Sequence, residues 1–242
     1  MDNGFQFGDY HTKDFGAKVE WYPPRTIPAR KGETISIPGR NGNLHIFQSA
    51  YESYTQYYDI YFNAGELATM ELAHKIAAWL TAEAGYKILR DRYDIGHFRK
   101  AIFLGPMDIE NILNQYGRCR VSFECAPQSY LDAGEEIKTF SESGTLDNPT
   151  KYEAMPEIAI YGSAAGTVNI GGMSVEVLRI TEPIILDSEM QDAYSKQGEG
   201  AAVNRNNDIK ANDFPIIKPG TTNISFTGGI EKLEIKPRWW EL

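Results

Sequence analysis

Residues 54–85 read YTQYYDIYFNAGELATMELAHKIAAWLTAEAG, and the rhythm of the apolar residues changes partway through. Up to Asn63 the period is two. Tyr54, Gln56, Tyr58, Ile60 and Phe62 share one parity, and Tyr57, Asp59 and Tyr61 take the other. Such alternation marks a strand with one packed face and one face open to a neighbour. From Gly65 to Ala84 the period lengthens: Leu72, Ile76, Trp79 and Leu80 fall at spacings of four, seven and eight, one stripe of an amphipathic helix. Gly85 stands where a helix C-terminal glycine is expected. A lone helix beside strands predicts that it packs on a sheet.

Upstream, GAKVEWYPPR (16–25) reads as a short strand stopped by Pro23 and Pro24. TISIPGRNGNLHIF (34–47) reads as two short apolar runs around a turn built from Pro38, Gly39, Asn41 and Gly42. Downstream, YKILRDRY, KAIFLGPM and GRCRVSFECAPQ are further strands. In the last, Cys119, Val121, Phe123 and Cys125 share one face. The six-residue separation of the two cysteines spans about 20 Å of strand, too far for a disulfide. Both are expected to be free thiols buried as small apolar residues. Residues 132–155 turn polar and rich in Gly, Pro, Ser and acids, which places a domain boundary there: one domain over 1–134, a second over 135–242.

The second part reads as all-β. PEIAIYG and EPIILDSE are strands, and Gly171-Gly172 and Gly228-Gly229 each mark a hairpin. A short strand is expected around Glu136–Ser141. Residues 191–213 read as a polar loop with one short strand at most. Short strands with frequent turn signals argue for a sandwich. The fold class is therefore mainly β with one helix, in two domains.

The chain of 242 residues carries a net charge of −9, which does not suit nucleic-acid binding. The basic and aromatic run KILRDRYDIGHFRK (87–100) is interrupted by Asp91 and Asp94, which read as solvated turn charges, and suits a solvated or subunit-facing strand edge. Neither an N-terminal secretion signal nor an apolar run of about 20 residues is present. No serine-hydrolase elbow, phosphate loop, dinucleotide fingerprint or HExxH motif occurs, and the four histidines are scattered. The expectation is no enzyme, no catalytic residue, no metal and no cofactor.

Several stretches together resemble the distal tail protein (Dit) family of siphophages and related prophages. They are the opening with Phe7, Gly8 and Asp9 followed by PPR, then IPGRNGNL (37–44), YKILRDRY, and VSFECAPQSYL (121–131). NPTKYEAMPEIAIYGSAAGTVNIGG (148–172) and DFPIIKPGTTNISFTGGIEKLEIKPRWWEL (213–242) complete the series. The chain is short for that family, with no room for an inserted carbohydrate-binding module. The resemblance implies an N-terminal β-sandwich with one helix that forms a hexameric ring, and a C-terminal galectin-like β-sandwich. It implies a structural protein joining the major tail protein to the tail-associated hub protein of the baseplate, with a periphery that can hold receptor-binding proteins. The implied place is the tail tip of the virion, after assembly in the host cytoplasm. A carbohydrate-binding module is the alternative, argued from the implied galectin-like sandwich and its aromatics.

A closed ring needs two complementary surfaces per subunit. Tyrosine-rich strands offer contact area at low entropy cost. Arg40 and Asn43 in the PGRNGN turn, and Tyr54 and Tyr58 on the alternating strand, are the subunit-interface candidates. Substituting Arg40 or Tyr58 with Ala is expected to impair the ring more than it lowers melting temperature. Of Trp239 and Trp240, at least one is expected in a core.

Overall fold

Period-two patterning over most of the chain dictates strands, and strands dominate the computed structural model, which describes residues 3–63, 69–112, 116–197 and 201–242. The chain divides into two units, Met1–Ser129 with Leu242 and Tyr130–Glu241.

Unit 1 contains β1 (Phe5–Phe7), β2 (Tyr10–His11), β3 (Ala17–Val19), β4 (Arg30–Ser36), β5 (Asn43–Tyr51), β6 (Tyr54–Asn63), α1 (Thr69–Thr81), β7 (Lys87–Asp91), β8 (His97–Phe103), β9 (Ile109–Ile112) and most of β10 (Tyr116–Leu131). The main sheet runs β2-β1-β7-β8-β10-β6-β3, with β9 also on β10. Its ends approach each other, because the Val19 amide donates to Asn3 O at 2.9 Å and the Asn3 side chain returns a bond to Val19 O. The inward faces therefore share one interior, filled by Phe5, Phe7, Val19, Ile60, Phe62, Leu89, Val121 and Phe123. Helix α1 adds Leu72, Ile76, Trp79 and Leu80, the expected stripe, and the Trp79 indole donates to Phe7 O at 3.0 Å. Positions 65–68 of the expected helix lie outside the described residues. The helix ends at Thr81, so Gly85, although at φ +106°, does not cap it. Cys119 and Cys125 are buried free thiols, as their parity predicts. Burial pushes both up to about 12.

Unit 2 contains β11 (Lys138–Phe140), β12 (Gly144–Asn148), β13 (Glu157–Ile170), β14 (Met173–Val177), β15 (Ile184–Asp187), β16 (Asp192–Gln197), β17 (Ala201–Asn204), β18 (Ile209–Ala211), β19 (Gly220–Lys236) and β20 (Trp240–Glu241). Its strand order is β11-β19-β13-β15-β16-β17, with β12 on β19, β14 on β13 and β18 on β14. The Gly171-Gly172 hairpin is present, with Ile170 opposite Met173. At Gly228-Gly229 there is no hairpin. β19 runs straight through, and β13 pairs along it with register shifts around Gly162–Gly166. The physical reason is close backbone approach. A Cβ on Gly162 would lie 2.2 Å from Gly229 O, and one on Gly229 would lie 2.5 Å from the Ala164 Cβ. These irregularities let each long strand serve two layers. The first part of β13 pairs with β15 and the last part with β14. Ile158 and Ile160 from one part, and Val168 and Ile170 from the other, meet in one core that Trp239 joins. The second correction concerns residues 191–213, which hold three strands, β16, β17 and β18, where sequence suggested one at most. Their side chains are polar because much of this segment is surface, which hides strand periodicity.

Candidate subunit interface

Among the described residues, strands β4 and β5 form a hairpin that pairs only within itself. Ser36 stands opposite Asn43, and the ladder runs back to Arg30 opposite Tyr51 with a shift at Gly32. Only glycine fits there: a Cβ on Gly32 would sit 2.6 Å from Ile46 O. The turn closes through the Arg40 amide donating to Ile37 O at 3.1 Å, with Gly39 and Gly42 both at φ +80°. Arg40 lies in this turn and Asn43 opens β5, both exposed. The structure thus brings these two candidates together at one tip.

The hairpin is apolar without being covered. Ile35, Leu44, Ile46 and Phe47 are 40%, 37%, 50% and 64% exposed, and Ile35 stands opposite Leu44. Thr34 Oγ1 and His45 Nδ1 share a 2.9 Å hydrogen bond, and Arg30 donates to the Tyr51 hydroxyl at 2.8 Å. These contacts fix register but bury little.

Tyr54 and Tyr58 sit elsewhere. The packed parity of β6 turns both inward, Tyr54 half-buried and Tyr58 fully so. The Tyr58 hydroxyl donates to Asp91 Oδ2 at 2.6 Å. Its ring packs 4.4 Å from Phe5. Tyr58 is therefore a core residue of its own subunit, which corrects its reading as a contact to a neighbour. Burial raises the Tyr54 hydroxyl to about 12. Asp91 is likewise no solvated turn charge. Arg99 donates to its Oδ2 at 3.0 Å and to Asp94 at 2.6 Å, while the Tyr93 and Asp94 amides donate to Oδ1. This buried pair anchors the β7–β8 turn to β6.

The opposite parity of β6 is the one turned outward. Asp59 accepts two 2.8 Å bonds from Arg120 on β10, which hold its carboxyl below the usual range. The Arg120 guanidinium lies 4.4 Å from the Tyr57 ring centroid, and Tyr61 is 44% exposed. Sequence reasoning passed over a further surface, the segment after β3, where Trp21, Tyr22 and Ile27 are 68%, 78% and 70% exposed. Its signal was present in WYPPRTIP, since prolines keep a chain out of a sheet and leave its aromatics unlayered. Among the described residues no group of three or more His, Cys, Asp or Glu is placed to hold a metal ion.

Residues 9–125 match the family model described as phage tail protein RIFT-related domain, a span that takes in most of unit 1. This stretch of the chain carries a phage tail protein domain. The fold of the chain is similar over 96% of both chains to SPP1 Dit (gp 19.1), a protein described as a paradigm of the hub adsorption apparatus in phages infecting Gram-positive hosts. The TM-score is 0.70 at 11% identity. It is also similar to chains of the phage P2 baseplate in its activated conformation, with Ca at TM-score 0.58 and 8% identity over 97% of both chains, and with Sr at 0.57 and 9% over 96% of both. At such identities the likeness is one of fold. No curated protein matches the sequence. The chain therefore has a mainly β, Dit-like fold, with a phage tail protein domain over residues 9–125.

Proposed function

We propose that this chain is a structural protein of a phage tail that assembles as a hexameric ring at the tail tip, through unit 1, and joins the tail tube to the baseplate hub. The β4–β5 hairpin carries the reading. A two-stranded hairpin is marginal in water by itself, and exposed apolar patches of this kind mark interaction sites. Ile35, Leu44, Ile46 and Phe47 gain cover when the hairpin lies on the next copy, and a head-to-tail contact repeated around an axis closes a ring. Arg40 and Asn43 at its tip, and Tyr54 at the rim of β6, are the proposed contact residues. The major tail protein on one side and the tail-associated hub protein on the other are the proposed neighbours. Unit 2, in this reading a galectin-like sandwich, offers the periphery to receptor-binding proteins. Assembly takes place in the host cytoplasm before the protein becomes part of the virion. The similarity of the whole fold to a hub protein supports this role.

Negative-stain electron microscopy with native mass spectrometry of the purified protein tests it. Six-fold rings with an open centre are expected. A protein that stays monomeric at high concentration, alone and with tail-tube and hub proteins added, refutes it.

A further inference from the structure

The two sides of the β4–β5 hairpin differ. Partners across a ladder share a face, so the pairs Ile35–Leu44 and Glu33–Ile46 put Ile35, Leu44 and Ile46 on one side. The other side is polar and aromatic. Thr34 and His45 share their hydrogen bond there, and the Phe47 ring stacks on His45 at 5.8 Å. The first side is thus an exposed aliphatic strip with Glu33 at its border. Unit 1 also holds an apolar recess of about 540 Å³, between the C-terminal end of α1 and the chain that follows β8. Leu80, only 2% exposed, is its floor. Ala77 is small and leaves the space open, and Phe103, Leu104, Pro106 and Met107 line the far side. The recess exists because α1 stops at Thr81 and Gly105, at φ +62°, turns the chain aside after β8.

No residue of the chain's own hairpin lines this recess, so within one copy neither surface covers the other. Its volume lies in the range of sites that enclose a small ligand, enough for several side chains. Charge matches the two. The hairpin holds Arg30, Lys31 and Arg40 against Glu33 alone, a basic element in a chain of net charge −9. The one charged residue that lines the recess is Glu83, its side chain 76% exposed, and Asp108 follows Met107 at the surface. Lys87, 3.2 Å from Glu83, offsets one of these two acids and leaves the rim acidic.

We infer that the Ile35–Leu44–Ile46 side of the hairpin docks into this recess on a second copy of the chain. The inference rests on the proposal that copies meet head to tail, and it names the two halves of that contact. A projecting strip and a recess on the same unit are the unlike surfaces that such a contact needs. Docking takes the aliphatic side chains and the walls of the recess out of water together. The basic hairpin then lies along the acidic rim, which favours this register over one that sets like charges side by side.

Cysteine cross-linking of the full-length protein tests it, with native mass spectrometry of the same samples. Ile46 and Leu104 are 50% and 64% exposed, so Ile46→Cys with Leu104→Cys perturbs neither core. Mild oxidation of that double variant is expected to give a ladder of linked copies on a non-reducing gel, and each single variant no ladder. A charge pair provides a second route that needs no new thiol. Ile46→Glu and Leu104→Lys should each weaken association about tenfold or more, the loss of one buried aliphatic contact. The two together should recover part of that loss, which two unrelated defects would not do. Circular dichroism melts confirm that the variants fold. Rings that form without a ladder, or without recovery in the charge pair, overturn this seat and leave the ring itself standing. Absence of any assembly of the unsubstituted protein, alone or with tail-tube and hub proteins, overturns both.

Discussion

Tyr58 and Asp187 show how much a single side chain decides here. Tyr58 has the composition of an interface residue and the environment of a core one, with its ring among Phe5 and Phe123 and its hydroxyl on Asp91. Tyr58→Ala should cost about 3–5 kcal/mol of unit 1 stability through the lost packing. Tyr58→Phe should cost about 1–3 kcal/mol, since it strips one partner from a buried carboxylate. Urea unfolding followed by tyrosine and tryptophan fluorescence reads both. In unit 2, burial acts to raise the Asp187 carboxyl, but two 2.8 Å bonds from Arg238 and the Glu189 and Met190 amides outweigh it and hold it below 3.8. A carboxyl depressed by folding contributes stability that is fully present above its unfolded value of about 3.9 and fades as pH falls through the folded value. Unit 2 should therefore lose stability on acidification below about pH 4. Asp187→Asn should flatten that slope in unfolding measured against pH while lowering stability at neutral pH.

At the scale of elements, regular features were legible and irregular ones were not. The period change at Asn63 located β6 and α1, and the alternation of β6 did separate one packed face from one outward face. The glycine pair at 228–229 did not, because the same dipeptide serves a two-residue turn and a tight strand crossing, and only the partner strand distinguishes them. Gly229→Val should drive a side chain into Ala164 and cost about 1–3 kcal/mol or more. Chemical denaturation of the variant measures it. Gly32→Val acts elsewhere, since its side chain would meet Ile46 O in the free-standing hairpin. Rings should fail while melting temperature holds, as read by native mass spectrometry beside calorimetry.

At the scale of the molecule, each unit has its own closed core, Phe5 to Cys125 in one and Leu146 to Trp239 in the other. Calorimetry should accordingly resolve two unfolding transitions, and Tyr58→Ala should shift only one of them. The hairpin belongs to neither core. Ile46→Glu with Phe47→Glu should abolish rings in electron micrographs while changing stability by no more than about 0.5 kcal/mol per site, as for exposed residues. A large loss of stability with rings intact would place these residues inside their own subunit.

The sequence by itself determined the β-rich class, the single helix, the buried cysteines and the tail-protein resemblance, because each is written in local periodicity or in ordered short motifs. It also located the exposed tip that bears Arg40 and Asn43, since turn chemistry is local. Only the tertiary structure decided that Tyr58 is core, that Asp91 is a buried anchor, and that β13 and β19 each span two layers. Those outcomes depend on which strand lies alongside, and a residue's parity names its face without naming what that face meets.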